Sequence, residues 1–139
     1  MPDILVIGSE ERIADLEADE NPVDTFPCLF AGTIDRETRT QLYAIVTRCF
    51  LEDAMQMESS VRSLDEDGPY VYQLEDHLIA AFTDVSEDDI EHLAELWSET
   101  GLENPPELFE LADFIYQFIH FCQTVRNELD LHLYVISDA

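Results

Sequence analysis

The sequence predicts an α+β fold, with a small sheet of about four strands packed against a long apolar helix and three or four shorter helices. Two observations predict it. Of the 139 residues, 46% are hydrophobic, which is enough for one domain with a compact core despite the high charge. Short β-prone runs, including one near each end of the sequence, alternate with longer segments of helical period. We therefore expect residues 1–139 to form a single acidic α+β domain.

Four short segments have the composition of strands. Pro27 lies in the second segment and favours an edge position for it, because proline cannot donate a ladder hydrogen bond. The third follows the clearest turn in the chain, residues 65–69, and the fourth is rich in β-branched and aromatic residues. The four predicted strands are residues 4–7, 26–31, 70–74 and 131–136.

Five segments are predicted as helices. Ser9 and Asp35 are good N-caps for the first two, and Ser86 opens a capping box before the fourth, which Gly101 can end. The stretch 51–64 has weak periodicity, and either a short helix or a loop fits it. The five predicted helices are residues 9–19, 36–50, 75–82, 86–100 and 107–126.

The segment 107–126 is the longest helix, and apolar residues occupy nearly all its sides. Such a helix is expected at the centre of the fold, wrapped by other elements. Asn104-Pro105-Pro106 should break the chain before it. Its polar residues form one narrow stripe, which consists of Glu110, Asp113, Gln117, His120 and Thr124.

Charge is the most unusual property of the sequence. It contains 32 acidic residues and six basic ones, all arginine, for a net charge of −26. Phosphate binding needs clusters of lysine and arginine, so direct binding to nucleic acid is not expected, and an anionic membrane surface is disfavoured in the same way. The N-terminus lacks the features of a signal peptide and no apolar run approaches the ~18 residues of a membrane span, so a cytoplasmic location is predicted.

The three cysteines, Cys28, Cys49 and Cys122, form no CxxC pair and have apolar neighbours. Buried, reduced thiols are therefore expected, and their odd number argues against a disulfide scaffold.

Two explanations compete for the acidic charge. One is adaptation of the whole surface to high salt, which the even spread of acids and the absence of lysine favour: successive quarters of the chain hold nine, seven, ten and six. The other is a surface that binds a basic protein, as in an immunity or inhibitor protein or a nucleic-acid mimic. The segment that would form such a surface has carboxylates at helical spacing, at Asp88, Glu91, Glu95 and Glu99.

Enzymatic and metal sites have few candidates. Asp88 and His92 lie one helical turn apart and could share a metal, and His120 is the best single histidine for a functional role. Nucleophile motifs and phosphate-binding glycine loops are missing, and no catalytic residue or cofactor is predicted. An Asp35–Arg39 pair one turn apart accounts for Arg39 without a bound anion. We expect a non-catalytic interaction domain, with homo-oligomers possible through the aromatic last helix.

Three phrases in the second half carry a resemblance, at residues 70–75 (YVYQLE), 96–100 (LWSET) and 131–136 (LHLYVI). Along the chain these phrases fall in a strand, then in helices, then in a terminal strand. This order of elements resembles that of small bacterial proteins of the YfbM-like kind. The resemblance covers about half of the chain and implies an α+β fold. That family has no established activity, so the resemblance implies no site residues.

Overall fold

The computed structural model describes residues 3–102 and 106–138, and its α+β architecture confirms the predicted fold class. One antiparallel sheet of five strands has the order β2-β1-β5-β4-β3. The strands are β1 (Ile4–Ser9), β2 (Cys28–Phe30), β3 (Glu58–Ser63), β4 (Tyr70–Leu74) and β5 (Leu131–Ser137). The helices are α1 (Glu10–Ala14), α2 (Arg36–Thr47), α3 (Leu51–Ala54), α4 (Asp76–Thr83), α5 (Ile90–Ser98) and α6 (Leu108–Arg126), with 3-10 turns at Pro22–Asp24 and Glu87–Asp89.

The last strand lies in the middle of the sheet. It pairs with β1 along its whole length, from Ile4 opposite Ile136 to Ser9 opposite Leu131, and with β4 on its other side. β5 runs antiparallel to both neighbours. Because it lies between β1 and β4, it joins the β1–β2 pair to the β3–β4 hairpin. As Pro27 predicted, β2 is an edge strand.

The two faces of the sheet are covered unequally. On one face, α2, α4, α5 and α6 bury the main core, in which the rings of Phe82 and Phe118 lie 4.5 Å apart. Trp97 is buried there, and its indole N–H donates to the carbonyl of Thr38 at 2.8 Å, which ties α5 to α2. The other face is covered by a smaller cluster around Ile13, in α1, and Phe26. The helical face therefore contains most of the apolar surface that folding buries.

Several boundaries differ from the prediction, and the largest differences lie in two stretches. The stretch 51–64 forms both a short helix, α3, and a fifth strand, β3, which sequence analysis missed. The first helix ends at Ala14 instead of near residue 19, since the acidic residues that follow are unfavourable at a helix C-terminus. Arg62 closes this end: its Nη1 donates to the carbonyls of Ile13 at 2.7 Å and Ala14 at 2.5 Å.

The predicted break at Asn104-Pro105-Pro106 lies mostly outside the described residues. Along the parts of the chain that are described, every helix is too short or too polar to traverse a lipid bilayer.

The three thiols are free, but they differ in burial. Cys122 is fully buried in the main core, as predicted, and burial raises the pKa of its thiol. Cys28 and Cys49 are only half-buried, so the prediction of buried thiols is wrong for these two. Burial also raises the pKa of the Cys28 thiol, so neither Cys122 nor Cys28 is activated as a nucleophile.

Candidate protein-binding groove

One side of α6 remains exposed in the structure. It is not only the predicted polar stripe, because Phe109 and Tyr116 lie on it at a spacing of seven residues, together with Asp113 and His120. Phe109 is 67% exposed. The exposed side of α6 therefore includes aromatic residues that the predicted polar stripe did not contain.

Phe109 separates two concave regions that together form one surface, which we call the Phe109 groove. The first region, of about 540 Å³, lies between α6 and the segment that follows β2, with Phe30 at its edge. The second, of about 690 Å³, lies between α6 and the start of α5, and Leu108 and Tyr116 line it. These four side chains are all large, apolar or aromatic, and exposed. A surface of this kind marks an interaction site more often than a scattered exposed residue does.

Carboxylates surround this apolar floor. Glu110 and Asp113 line the first region, and Glu87, Glu91 and again Asp113 line the second. Among the described lining residues there is no arginine or histidine, so the groove is negative throughout. Asp113 is held in place by Gln117, whose Nε2 donates to its Oδ2 at 2.7 Å.

His120 lies one turn beyond the groove on the same side of α6. Its ring contacts that of Tyr116 at 4.5 Å between centroids, and its Nε2 is 3.9 Å from Oε1 of Glu87. The side chain is half-exposed, and these contacts place His120 at the end of the Phe109 groove.

The predicted acidic surface overlaps the groove at one residue only. Asp88, Glu91, Glu95 and Glu99 are all exposed, but of these four only Glu91 lines the groove. The neighbouring Glu87, which was not among the predicted site residues, contributes the second carboxylate from this part of the chain. The predicted acidic surface followed the segment 88–99, whereas the candidate surface in the structure lies between α5 and α6.

The predicted metal site at Asp88 and His92 has no third ligand among the described residues. Asp88 and His92 are both exposed, and no group of three or more His, Cys, Asp or Glu residues is arranged to hold a metal ion within residues 3–102 and 106–138. Two ligands on a solvent-exposed helix are fewer than transition-metal sites normally use.

The aromatic members of the groove were missed because helical position was judged by apolar content alone. At about 100° per residue, Phe109 and Tyr116 fall on the same side as Asp113 and His120. An aromatic residue inside a polar stripe is the signal that could have identified this surface. Nothing in the sequence predicts that Phe30, far away along the chain, lies at its edge.

A buried ion cluster lies between α2 and β3. Arg39 is 0% exposed, and its Nε and Nη2 donate to the Glu58 carboxylate at 2.8 and 3.0 Å. Its Nη1 lies 2.9 Å from both the carbonyl oxygen of Ile34 and Oδ2 of Asp3. The hydroxyl of Tyr43 donates to Glu58 at 2.5 Å. This arrangement corrects the predicted Asp35–Arg39 pair.

Asp35 instead caps α2. Its Oδ1 accepts from the backbone N–H of Thr38 at 2.9 Å and from the Thr38 hydroxyl at 2.8 Å, and the backbone hydrogen bond lowers the pKa of the carboxyl. Arg39 points inward because it lies on the buried side of the helix. The spacing of charges along the chain predicted Asp35 as the partner of Arg39. The observed partner, Glu58, lies on strand β3, which was not predicted.

The protonation states of this cluster are fixed by its partners. Although burial opposes the charge on Arg39, its hydrogen bonds to Glu58 raise the pKa of the guanidinium above its ordinary value. Burial, then the Glu58 charge, raises the pKa of Tyr43 well above its ordinary value, so the phenol stays neutral. Arg36 closes the cluster, with its Nε 3.4 Å from Glu58 and its guanidinium 3.6 Å over the Tyr72 ring. The cluster is a structural element, because its central groups are shielded from any substrate.

No family model, curated protein or solved structure matches the chain. The resemblance to YfbM-like proteins therefore stays a prediction.

Proposed function

We propose that this protein is a non-catalytic interaction domain whose Phe109 groove binds a basic, amphipathic segment of another protein. The observation that carries the proposal is the combination of an exposed apolar floor with a rim whose charged residues are all carboxylates. An apolar ligand alone would leave this rim without a role. A purely basic ligand would leave Phe109 and its neighbours in water.

The geometry of the groove supports a helical or extended peptide as the ligand. Two concave regions on either side of Phe109 suit successive apolar side chains of one segment, and lysine or arginine residues between them would face Glu87, Glu91 and Asp113. Such charges mainly raise the rate of association and select the partner, whereas the buried aromatic contact supplies most of the affinity. An immunity or inhibitor protein that neutralises a basic protein is the more specific form of this proposal.

The test uses two peptides of equal length and charge. One is an amphipathic leucine–lysine peptide, and in the other the leucines are replaced by glycine. We expect the wild-type protein to bind the leucine peptide at least ~10-fold more tightly in a fluorescence anisotropy titration, because only that peptide buries the aromatic floor. Phe109→Ala should remove this preference, whereas Leu129→Ala, at a residue that is 98% exposed and outside the groove, should keep it.

The charged rim is tested separately. Asp113→Asn should weaken binding of both peptides, and the control Glu95→Gln, an exposed residue outside the groove, should change binding less. The proposal fails if the leucine peptide binds no better than the glycine peptide, or if Phe109→Ala leaves the preference unchanged.

We propose in addition that the acids outside the groove adapt the surface to high salt, in a cytoplasmic setting. The support is their even distribution and the absence of lysine, together with three free cysteines. A multivalent acidic surface stays hydrated when salt screens its repulsion.

A further inference from the structure

A second exposed apolar surface lies on α2 and α3, and its charge differs from that of the Phe109 groove. Phe50 precedes α3 and is 81% exposed, and Leu51 and Met55 beside it are exposed as well. Next to Phe50 is a cavity of about 480 Å³ between the two helices. The cavity is lined by Arg36, Glu37, Thr40, Gln41, Leu51 and Met55.

This face is much less acidic than the chain as a whole. Residues 36–55 contain three arginines and three acids, so the remaining residues carry the whole net charge of −26. Arg39 is buried with Glu58, which leaves two arginines and three acids on the exposed part of the segment. Two copies of this protein repel each other over most of their surface, and here they can approach without placing acidic clusters in contact.

Arg48 provides a second observation. It ends α2 with φ of 56° and ψ of 43°, in the left-handed region that favours glycine. This is the conformation of a common helix C-cap, in which the backbone N–H of Arg48 donates to the carbonyl of Ala44. The Arg48 side chain is exposed two residues before Phe50, and the exposed acids Glu52 and Asp53 follow, so this short stretch has charges of both signs.

From these observations we infer that the protein forms a two-fold dimer in which Phe50 of each copy inserts into the α2–α3 cavity of the other. A projecting side chain and a cavity that lie side by side on one face are used reciprocally by a two-fold axis, which gives a closed dimer. The Arg48 of each copy then faces the acidic residues Glu52 and Asp53 of the second copy.

A second copy fits this face better than an unrelated partner does. A strongly basic protein would be drawn to the acidic faces, including the Phe109 groove, and a strongly acidic one would be repelled by the surrounding surface. The chain itself supplies both the projecting ring and the cavity beside it.

Sedimentation equilibrium at about 0.1 M and about 2 M KCl tests the dimer, since the Debye length falls from about 10 Å to below 3 Å. We expect the mass to rise from 16.0 kDa towards twice that value with protein concentration, with a dissociation constant that is lower in high salt. Phe50→Ala should weaken the dimer at least ~10-fold, because it removes the inserted ring. Because Phe50 is exposed, the Phe50→Ala variant should still fold, and its circular dichroism spectrum should match that of the wild type.

Two controls make the result specific. Leu129→Ala removes an equally exposed apolar side chain elsewhere and should dimerise as the wild type does, and so should Phe109→Ala, so that loss of the groove and loss of the dimer are distinguishable. A protein that is monomeric in both salts at millimolar concentration would overturn the inference. So would a dimer that Phe109→Ala weakens and Phe50→Ala does not, since that dimer would use the groove.

Discussion

Replacing Glu58 with glutamine tests whether the buried ion cluster stabilises the fold. The Glu58 side chain is 2% exposed, and its carboxylate accepts hydrogen bonds from Arg39, Tyr43 and Arg36. Glutamine has a similar shape, but it is neutral and has one oxygen acceptor where the carboxylate has two. Its amide group would face the donors of Arg39 or Tyr43, and the Arg39 charge would keep only Asp3 as a carboxylate partner.

The expected size of the effect follows from this geometry. Removing one partner from a buried ion pair costs about 3–5 kcal/mol, because the remaining charge is left without compensation. Asp3 still neutralises part of the Arg39 charge, so we expect about 3 kcal/mol, at the lower end of that range. Tyr43→Phe removes a single hydrogen bond to a charged group and should cost about 1.5–3 kcal/mol. For a domain whose total stability is on the order of 5–15 kcal/mol, both losses are large.

Urea unfolding measured by the fluorescence of Trp97 is the appropriate assay. Trp97 is the single tryptophan and is fully buried, and urea is uncharged, so it does not screen the acidic surface as guanidinium would. Glu95→Gln is the matched control, because it removes the same charge at an exposed position and should change stability by less than about 0.5 kcal/mol. If Glu58→Gln costs no more than this control, with an unchanged slope in urea, the stabilising role assigned to the cluster is refuted.

Two further predictions concern the cap of α2 and the surface charge. Asp35→Ala should cost about 1 kcal/mol at neutral pH, with exposed Glu95→Ala as the control. Since the Thr38 amide lowers the pKa of Asp35 in the folded state, this contribution is fully present above the unfolded value of 3.8 and is lost as the pH falls through the folded pKa, so the two variants should converge in acid. Denaturant melts by circular dichroism at about 0.1 M and about 2 M KCl test salt adaptation: the protein should be marginal in low salt and stabilised in high salt. Equal stability in both would contradict it and favour the acidic surface as a binding site.

The elements that follow from local sequence were predictable. The apolar run of β1, the aromatic and β-branched β5, and the caps at Ser9, Asp35 and Ser86 each appear where the pattern indicates. Their signals depend on neighbours within a few residues, which the sequence shows directly.

Strand β3 could not be predicted in the same way. Its residues, from Glu58 to Ser63, include one large apolar residue, Val61, and that residue lies at an irregularity in the pairing with β4. An edge strand takes its hydrogen bonds from one neighbour and needs little apolar content of its own. Glu58 is the first residue of β3. Because this strand was not predicted, the partner of Arg39 was not predicted either.

The residues that line the Phe109 groove were predicted only in part. The predicted acidic surface includes Glu91, but the apolar half of the groove depends on which side of α6 the rest of the chain leaves open. That is decided by how α4, α5 and β5 pack against the helix, which is a property of the tertiary structure.

The position of β5 between β1 and β4 has a consequence for synthesis on the ribosome. The β1–β2 pair and the β3–β4 hairpin precede β5 along the chain, so β1 and β4 each have an unpaired edge until β5 emerges. Exposed edges of apolar strands are templates for aggregation, and contacts between distant segments form late. During that interval, the dense negative charge of the nascent chains would keep neighbouring copies on a polysome apart, so the acidic residues would act before the native protein exists.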